Sequence, residues 1–144
     1  IITAPDQRRL LDETERKQRE KIVPLAQGEV LEIGMGNGLN LPYYDTAKVK
    51  KIWGLEPPQV AETGVKKNTS DQPELEFIDL PGEEIPLESA SVYTVLVTYA
   101  LCTIPDPVQA LEGMRRVLKP AGRLLFCEHG RAPDETVRRW QERL

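Results

Sequence analysis

The stretch Val30-Leu-Glu32-Ile-Gly34-Met35-Gly36-Asn-Gly38 decides the fold. The run Glu29-Val-Leu-Glu-Ile33 reads as a strand that delivers Glu32. Three alternating glycines then turn the chain toward a short helix beginning at about Asn40. Glycine supplies the positive φ values such a turn demands and removes side chains where a ligand must reach the backbone. That is the geometry of a nucleotide-type site at a helix start. Eighteen residues after Gly38 stands Glu56, at the end of a second strand, Lys51-Ile-Trp-Gly-Leu55. A carboxylate there can accept hydrogen bonds from both hydroxyls of a ribose. The alternative is a tight turn followed by an exposed glutamate.

The ligand class follows from two details. The spacing is Gly-x-Gly-x-Gly, whereas a dinucleotide site is built on Gly-x-Gly-x-x-Gly. Leu39 and Asn40 follow, with no small residue for close helix–strand packing. Glu32 also lies inside the motif, where a carboxylate repels a pyrophosphate and attracts an ammonium group. The residues therefore point to an adenosine ligand that is cationic rather than phosphorylated.

Outward from this stretch, short apolar runs alternate with helical patterns. Leu75–Ile78, Ser91–Val97 and Arg123–Cys127 read as further strands. Ser91–Val97 is almost continuously apolar or β-favouring, as a strand covered on both faces must be. Val108 to Leu118 is an amphipathic helix with Leu111, Met114 and Leu118 on its apolar stripe, and Pro120-Ala-Gly122 is a turn. Val60–Lys67 is a poor helix interrupted by Gly64, and Asp134–Leu144 a final one. An N-terminal helix over 6–23 carries eight charges between Asp12 and Lys21. Its pairs Asp12–Arg16, Glu13–Lys17 and Glu15–Arg19 are spaced i to i+4, and the run reads as a solvated face. Strands separated by helices give an α/β, Rossmann-like, doubly wound and mostly parallel sheet with helices on both faces. One domain over 1–144 accounts for the length.

Composition narrows the function. The formal net charge is −4, against a broad nucleic-acid surface. No apolar run approaches a membrane span, and Ile1 to Leu11 has no signal-peptide pattern. Cys102 and Cys127 lie in apolar runs and read as buried reduced thiols, so a cytoplasmic protein is expected. Two cysteines and one histidine make no Cys/His zinc site without carboxylates, so no metal is expected. There is neither a Gly-x-Ser-x-Gly elbow nor a phosphate-binding Gly-x-x-x-x-Gly-Lys-Ser/Thr loop.

From Glu29 to Glu128 the chain resembles the class I S-adenosylmethionine-dependent methyltransferases. Glu32-x-Gly34-x-Gly36-x-Gly38 resembles the family's first motif, and Glu56, followed by Pro57, its ribose-binding acid. Glu83-Glu-Ile-Pro-Leu87 resembles the segment flanking the adenine, and Ser91 to Leu101 the fourth strand and methyl-transfer rim. Met114 to Phe126, containing Arg-Val-Leu-Lys-Pro-Ala-Gly, is similar to the family's R-x-L-K-P-G-G helix, turn and strand. Leu101–Asp106 and Phe126–His129 are similar to the methyltransferase-like seven group, thiol and lipid-associated enzymes, and to the quinone methyltransferases. Pro81 stands where many relatives carry an acid toward the adenine amino group, leaving backbone near Gly82 and Glu83 to serve. The family adds a C-terminal β-hairpin after its last helix, which is expected to be missing from this chain.

The resemblance implies S-adenosylmethionine as co-substrate, with S-adenosylhomocysteine as product. Glu32 and the backbone of Gly34, Met35, Gly36 and Gly38, with Asn40, are then expected at its amino-acid end. Glu56 and Pro57 are expected at the ribose, Gly82 and Glu83 at the adenine, and Thr98 and Tyr99 at the sulfonium. His129, just past the fifth strand, is a candidate base for a thiol or hydroxyl, against the alternative of a hydrogen-bonding loop histidine. Ala100, Leu101 and Ile104 make the rim apolar, so a small lipophilic acceptor (thiol, phenol, quinone or lipid-like) is expected. No nucleic-acid partner is expected, and no integral membrane segment beyond peripheral contact. A non-catalytic binding or scaffold protein of the same fold is the alternative.

Overall fold

Val30, Leu31, Glu32 and Ile33 are each almost fully enclosed, because β1 (Gly28–Ile33) lies at the centre of a five-stranded parallel sheet. The computed structural model describes residues 4–57, 72–130 and 135. The other strands are β2 (Val49–Leu55), β3 (Glu74–Ile78), β4 (Val92–Thr98) and β5 (Leu118–Cys127). Their order is β3-β2-β1-β4-β5, and every neighbouring pair is parallel. The chain runs outward from β1 to β3, then returns to β4 on the other side. The carboxyl ends of β1 and β4 therefore form the crevice where open α/β sheets bind their ligands.

Alternation along the strands sorts the core into two layers. Leu31, Ile33, Val95 and Val97 face helix α2 (Pro107–Val117), meeting Ala110, Met114 and Val117. Val30, Ile52 and Leu96 face the opposite way, meeting Val23, Ala26 and Tyr44. Asp106 caps α2 by accepting the Gln109 N–H at 3.0 Å, and Pro107 occupies its first turn.

Several sequence expectations change in detail. The helix expected from Asn40 is a single 3-10 turn, Leu41–Tyr43, because the chain turns extended at Tyr44 (φ −64°, ψ 136°). The buried stripe of α2 is Ala110, Met114 and Val117, while Leu111 is exposed. Residues 119–122 are not a free turn but a bulge within β5. Val92 pairs with Leu118 and Thr94 with Arg123, so extra residues are absorbed between them. Gly122 is required there, since a Cβ would stand 2.8 Å from the Tyr93 carbonyl oxygen. Cys102 is exposed and Cys127 half-buried. The expected helices over Val60–Lys67 and Asp134–Leu144, with Trp140, lie outside the described residues apart from Glu135.

Helix α1 (Ala4–Ile22) departs most from expectation. Glu13–Lys17 (3.1 Å) and Glu15–Arg19 (3.8 Å) form as spaced, but Arg16 pairs with Glu20 instead of Asp12. Arg19 is not solvated: it is 9% exposed and inserted at the carboxyl end of the sheet. No described helix is long and apolar enough to cross a membrane.

Candidate functional site

The glycine loop leaves β1 with Gly34, Gly36 and Gly38 all at positive φ, +70°, +52° and +73°. A Cβ on Gly34 would lie 2.5 Å from the Ala100 Cβ, so this glycine lets the loop lie against the end of β4. Gly36 is different. Nothing stands within 4 Å of where its Cβ would be, so its backbone borders open space. Met35 turns inward and fills the place of a side chain on Gly54, which leaves only its backbone at the surface of the loop.

Glu56 closes the other side. Its Oε2 accepts the Gly36 N–H at 2.8 Å, tying the end of β2 to the glycine loop. Beyond it lies a cleft of about 140 Å³. Gly34, Glu56 and Pro57 line one wall; Pro81, Gly82 and Glu83 line another, and Ala100 and Ile104 a third. Gly82 is needed because a Cβ would meet the Ile104 Cδ1 at 2.7 Å. Glu83 accepts the Asp106 N–H at 3.0 Å, which fixes the approach to α2. Five of the expected residues, Gly34, Glu56, Pro57, Gly82 and Glu83, thus share one cleft, with Gly36 at its edge.

Glu32, Asn40 and Thr98 lie beneath the loop. Asn40 Nδ2 donates to Glu32 Oε1 (2.8 Å) and to Thr98 Oγ1 (2.9 Å), and the Tyr44 hydroxyl donates to Glu32 Oε2 (2.7 Å). Arg19 Nη1 completes the network on Asn40 Oδ1 (2.8 Å) and Thr98 Oγ1 (2.9 Å). Burial pushes the Glu32 carboxyl up to about 7, opposed by the Tyr44 and Asn40 hydrogen bonds and the Arg19 charge. Both Glu32 oxygens are thus taken by Asn40 and Tyr44, so the carboxyl is not an open acceptor.

Tyr99 stands beside the cleft. It is one of two described non-glycine residues at positive φ, +53°, a conformation a bulky residue adopts only when its surroundings hold it. Its N–H donates to the Cys127 carbonyl at 2.8 Å, and its hydroxyl receives the Cys127 thiol at 3.3 Å. The ring faces Arg19, 5.3 Å from its centroid, and His129, 4.6 Å between centroids. The aromatic face expected at the sulfonium is thus engaged by a resident guanidinium.

Three residues escaped the sequence reading. Arg19 hid in a charge run whose i to i+4 pattern signalled an exposed face. Glu15 hid in the same run and lies 3.4 Å from His129 Nε2. Glu128 Oε1 accepts the N–H groups of Ala100 (2.9 Å) and Leu101 (3.1 Å), holding the rim after β4. No sequence signal marked that last contact. No group of three or more potential metal ligands occurs among the described residues.

The model of a methyltransferase domain matches residues 31–126, from the core of β1 to the end of β5. The chain belongs to this methyltransferase domain family. It is 31% identical over 140 residues to the human thiol S-methyltransferase TMT1B, covering 92% of this chain and 57% of that protein. It is 30% identical over 139 residues to the mitochondrial methyltransferase OMS1 of Saccharomyces cerevisiae, covering 84% of this chain and 30% of that one. The chain therefore spans between 30% and 57% of the length of these relatives. A methyltransferase solved with the Haloferax volcanii Trm112 methyltransferase activator superposes with a TM-score of 0.70. That match has 24% identity and covers 98% of this chain and 64% of the other, a likeness of fold.

Proposed function

We propose that the protein is an S-adenosylmethionine-dependent methyltransferase acting on a small, lipophilic acceptor, with thiols foremost. The carrying observation is the joining of Gly36 to Glu56 at the mouth of the cleft. A ribose entering there finds a carboxylate already aimed at the loop, and the open space over Gly36 admits the rest of the ligand. The buried acid under the loop, with no Lys or Arg among the described residues lining the cleft, suits an ammonium-bearing group over a pyrophosphate.

When bound, the sulfonium supplies an electrophilic methyl group, and the protein's contribution is placement. Glu56 holds the ribose, with Pro57 beside it. Gly82 and Glu83 border the adenine, while the loop backbone of Gly34, Gly36 and Gly38 holds the amino-acid end. Ala100, Leu101 and Ile104 would exclude water and help place an acceptor in line with the methyl group. The apolar rim and the relationship to a thiol S-methyltransferase support a lipophilic acceptor.

Titration calorimetry with S-adenosylhomocysteine, run beside NAD, tests this reading. Micromolar binding of S-adenosylhomocysteine alone is expected. Binding of NAD with none of S-adenosylhomocysteine would overturn it. Cofactor binding without transfer to any thiol, phenol or quinone in a panel would favour a scaffold role.

A further inference from the structure

The rim of the sheet carries a second group of side chains that the cofactor cleft does not use. Running along the carboxyl ends, Glu56 follows β2, Gly34 follows β1, Tyr99 and Ala100 follow β4, and His129 follows β5. The ribose acid is at one end of this row and His129 at the other. Between them, Ala100 lines the cleft while its neighbour Tyr99 stacks on His129. His129 thus stands on the β4–β5 side of the row, one residue contact (through Tyr99) away from the Ala100 wall of the cleft.

His129 is held from two elements. Its ring is tilted 38° against Tyr99 at 4.6 Å, and its Nε2 lies 3.4 Å from Glu15 Oε1 on α1. Glu15 is placed one helical turn before Arg19, which anchors α1 to Asn40 and Thr98. Among the described residues, Glu15 of α1 and Tyr99 after β4 face the ring, and Arg19 of α1 and Cys127 of β5 engage the Tyr99 that packs against it. A carboxylate 3.4 Å from Nε2 favours the tautomer with the proton on that nitrogen, which makes Nδ1 the accepting nitrogen. At 55% side-chain exposure the ring can return a proton to water.

We propose that His129 is the proton acceptor for an ionisable S–H acceptor, with Glu15 of the N-terminal helix as its positioning residue. This rests on the methyltransferase reading above. The acceptor S–H bond breaks and its proton passes to His129 Nδ1. The freed sulfur pair forms the new bond to the methyl carbon. The bond from that carbon to the sulfonium breaks, and its electron pair stays on the cofactor sulfur as a thioether. His129 then releases the proton to water. Glu15 holds the imidazolium while it exists, the logic of an oriented acid–base pair.

Two probes separate this role from a structural one. 2-Mercaptoethanol is almost wholly protonated at pH 7, since an alkyl thiol ionises above about 8. A nitro-substituted thiophenol is already a thiolate there and needs no base. His129→Ala and Glu15→Gln are expected to slow methylation of 2-mercaptoethanol at least tenfold and to change the thiophenolate rate less than twofold. Equal losses on both probes, or no loss on either, would overturn the pair while leaving the methyltransferase reading intact. Absence of transfer from the unaltered protein to both would overturn the two together. A readout without cofactor or acceptor comes from the chain's single histidine. Its ring nitrogen-15 shifts should report a protonated Nε2, and Glu15→Ala should move both nitrogens toward averaged values. Unchanged shifts would overturn the role given to Glu15.

Discussion

Arg19 Nη1 donates to both Asn40 Oδ1 (2.8 Å) and Thr98 Oγ1 (2.9 Å), so one guanidinium ties the N-terminal helix to the floor of the glycine loop and the end of β4. Glu15 lies beside the same guanidinium at 3.8 Å, and the Tyr99 ring lies under it. The helix is thereby a wall of the site and not a decoration on the sheet.

Removing that guanidinium leaves two buried polar partners short of a donor. Arg19→Ala should cost about 1–3 kcal/mol of stability in urea titration, the penalty for unpaired buried groups. It should also weaken S-adenosylhomocysteine binding, because Asn40 loses the contact that orients it. Arg19→Lys should recover only part of both, since an ammonium lacks the planar fork. Full recovery by lysine would show that charge alone matters.

Glu32 sets a pH dependence whose sign is fixed by its direction of shift. Its folded value is raised from 4.5 to about 7, chiefly by burial. Between those values the folded chain holds a proton that the unfolded chain has lost. Its contribution is fully present below about pH 4.5 and is lost as pH rises through 7. Glu13 and Glu29 are lowered by Lys17 and Lys119, and their contributions are lost below pH 4.5 instead. Melting temperature should therefore fall across pH 5–7 by an amount that Glu32→Gln largely removes. An identical slope in that variant would show that another group titrates.

The two loop glycines should fail differently. Gly36 borders open space but sits at φ +52°, so Gly36→Val should abolish S-adenosylhomocysteine binding and lower the melting temperature through local backbone strain, while circular dichroism keeps its native form. Gly34→Ala drives a methyl group to 2.5 Å from Ala100 and should lower the melting temperature of the domain itself. A normal dissociation constant for Gly36→Val would remove the loop from the binding site.

Glu56 carries the ribose in this scheme and also caps the Gly36 N–H. Glu56→Ala should cost on the order of 1–3 kcal/mol in binding, as hydroxyls and a backbone donor are left unpaired. Calorimetry should show a smaller loss for Glu56→Gln, whose carbonyl oxygen still accepts. Equal affinity in all three proteins would place the ribose elsewhere.

The glycine spacing, the acid at the end of β2 and the near-continuous apolar run of β4 made the central strands and the cleft legible in the residues. Their meaning is local: positive φ, strand period and strand ends are properties of a few consecutive residues. The phase of α2 was less legible, because Ala110 carries little apolar signal and Leu111 much, yet the helix turns toward the sheet through Ala110, Met114 and Val117. The bulge at 119–122 was hidden for a related reason, since a strand's register belongs to its partner β4 as much as to itself.

Arg19, Glu15 and Glu128 could be assigned only once the chain was folded. Their partners lie far along the sequence: Thr98 is 79 residues from Arg19, and Ala100 is 28 residues from Glu128. A charged side chain has the same local pattern whether it meets water or a buried acceptor. What separates the two is desolvation, and burial arises from packing α1 against the end of the sheet. Short-range order thus laid down the crevice and its acid, while long-range packing supplied the cation that holds the floor and the carboxylate beside His129.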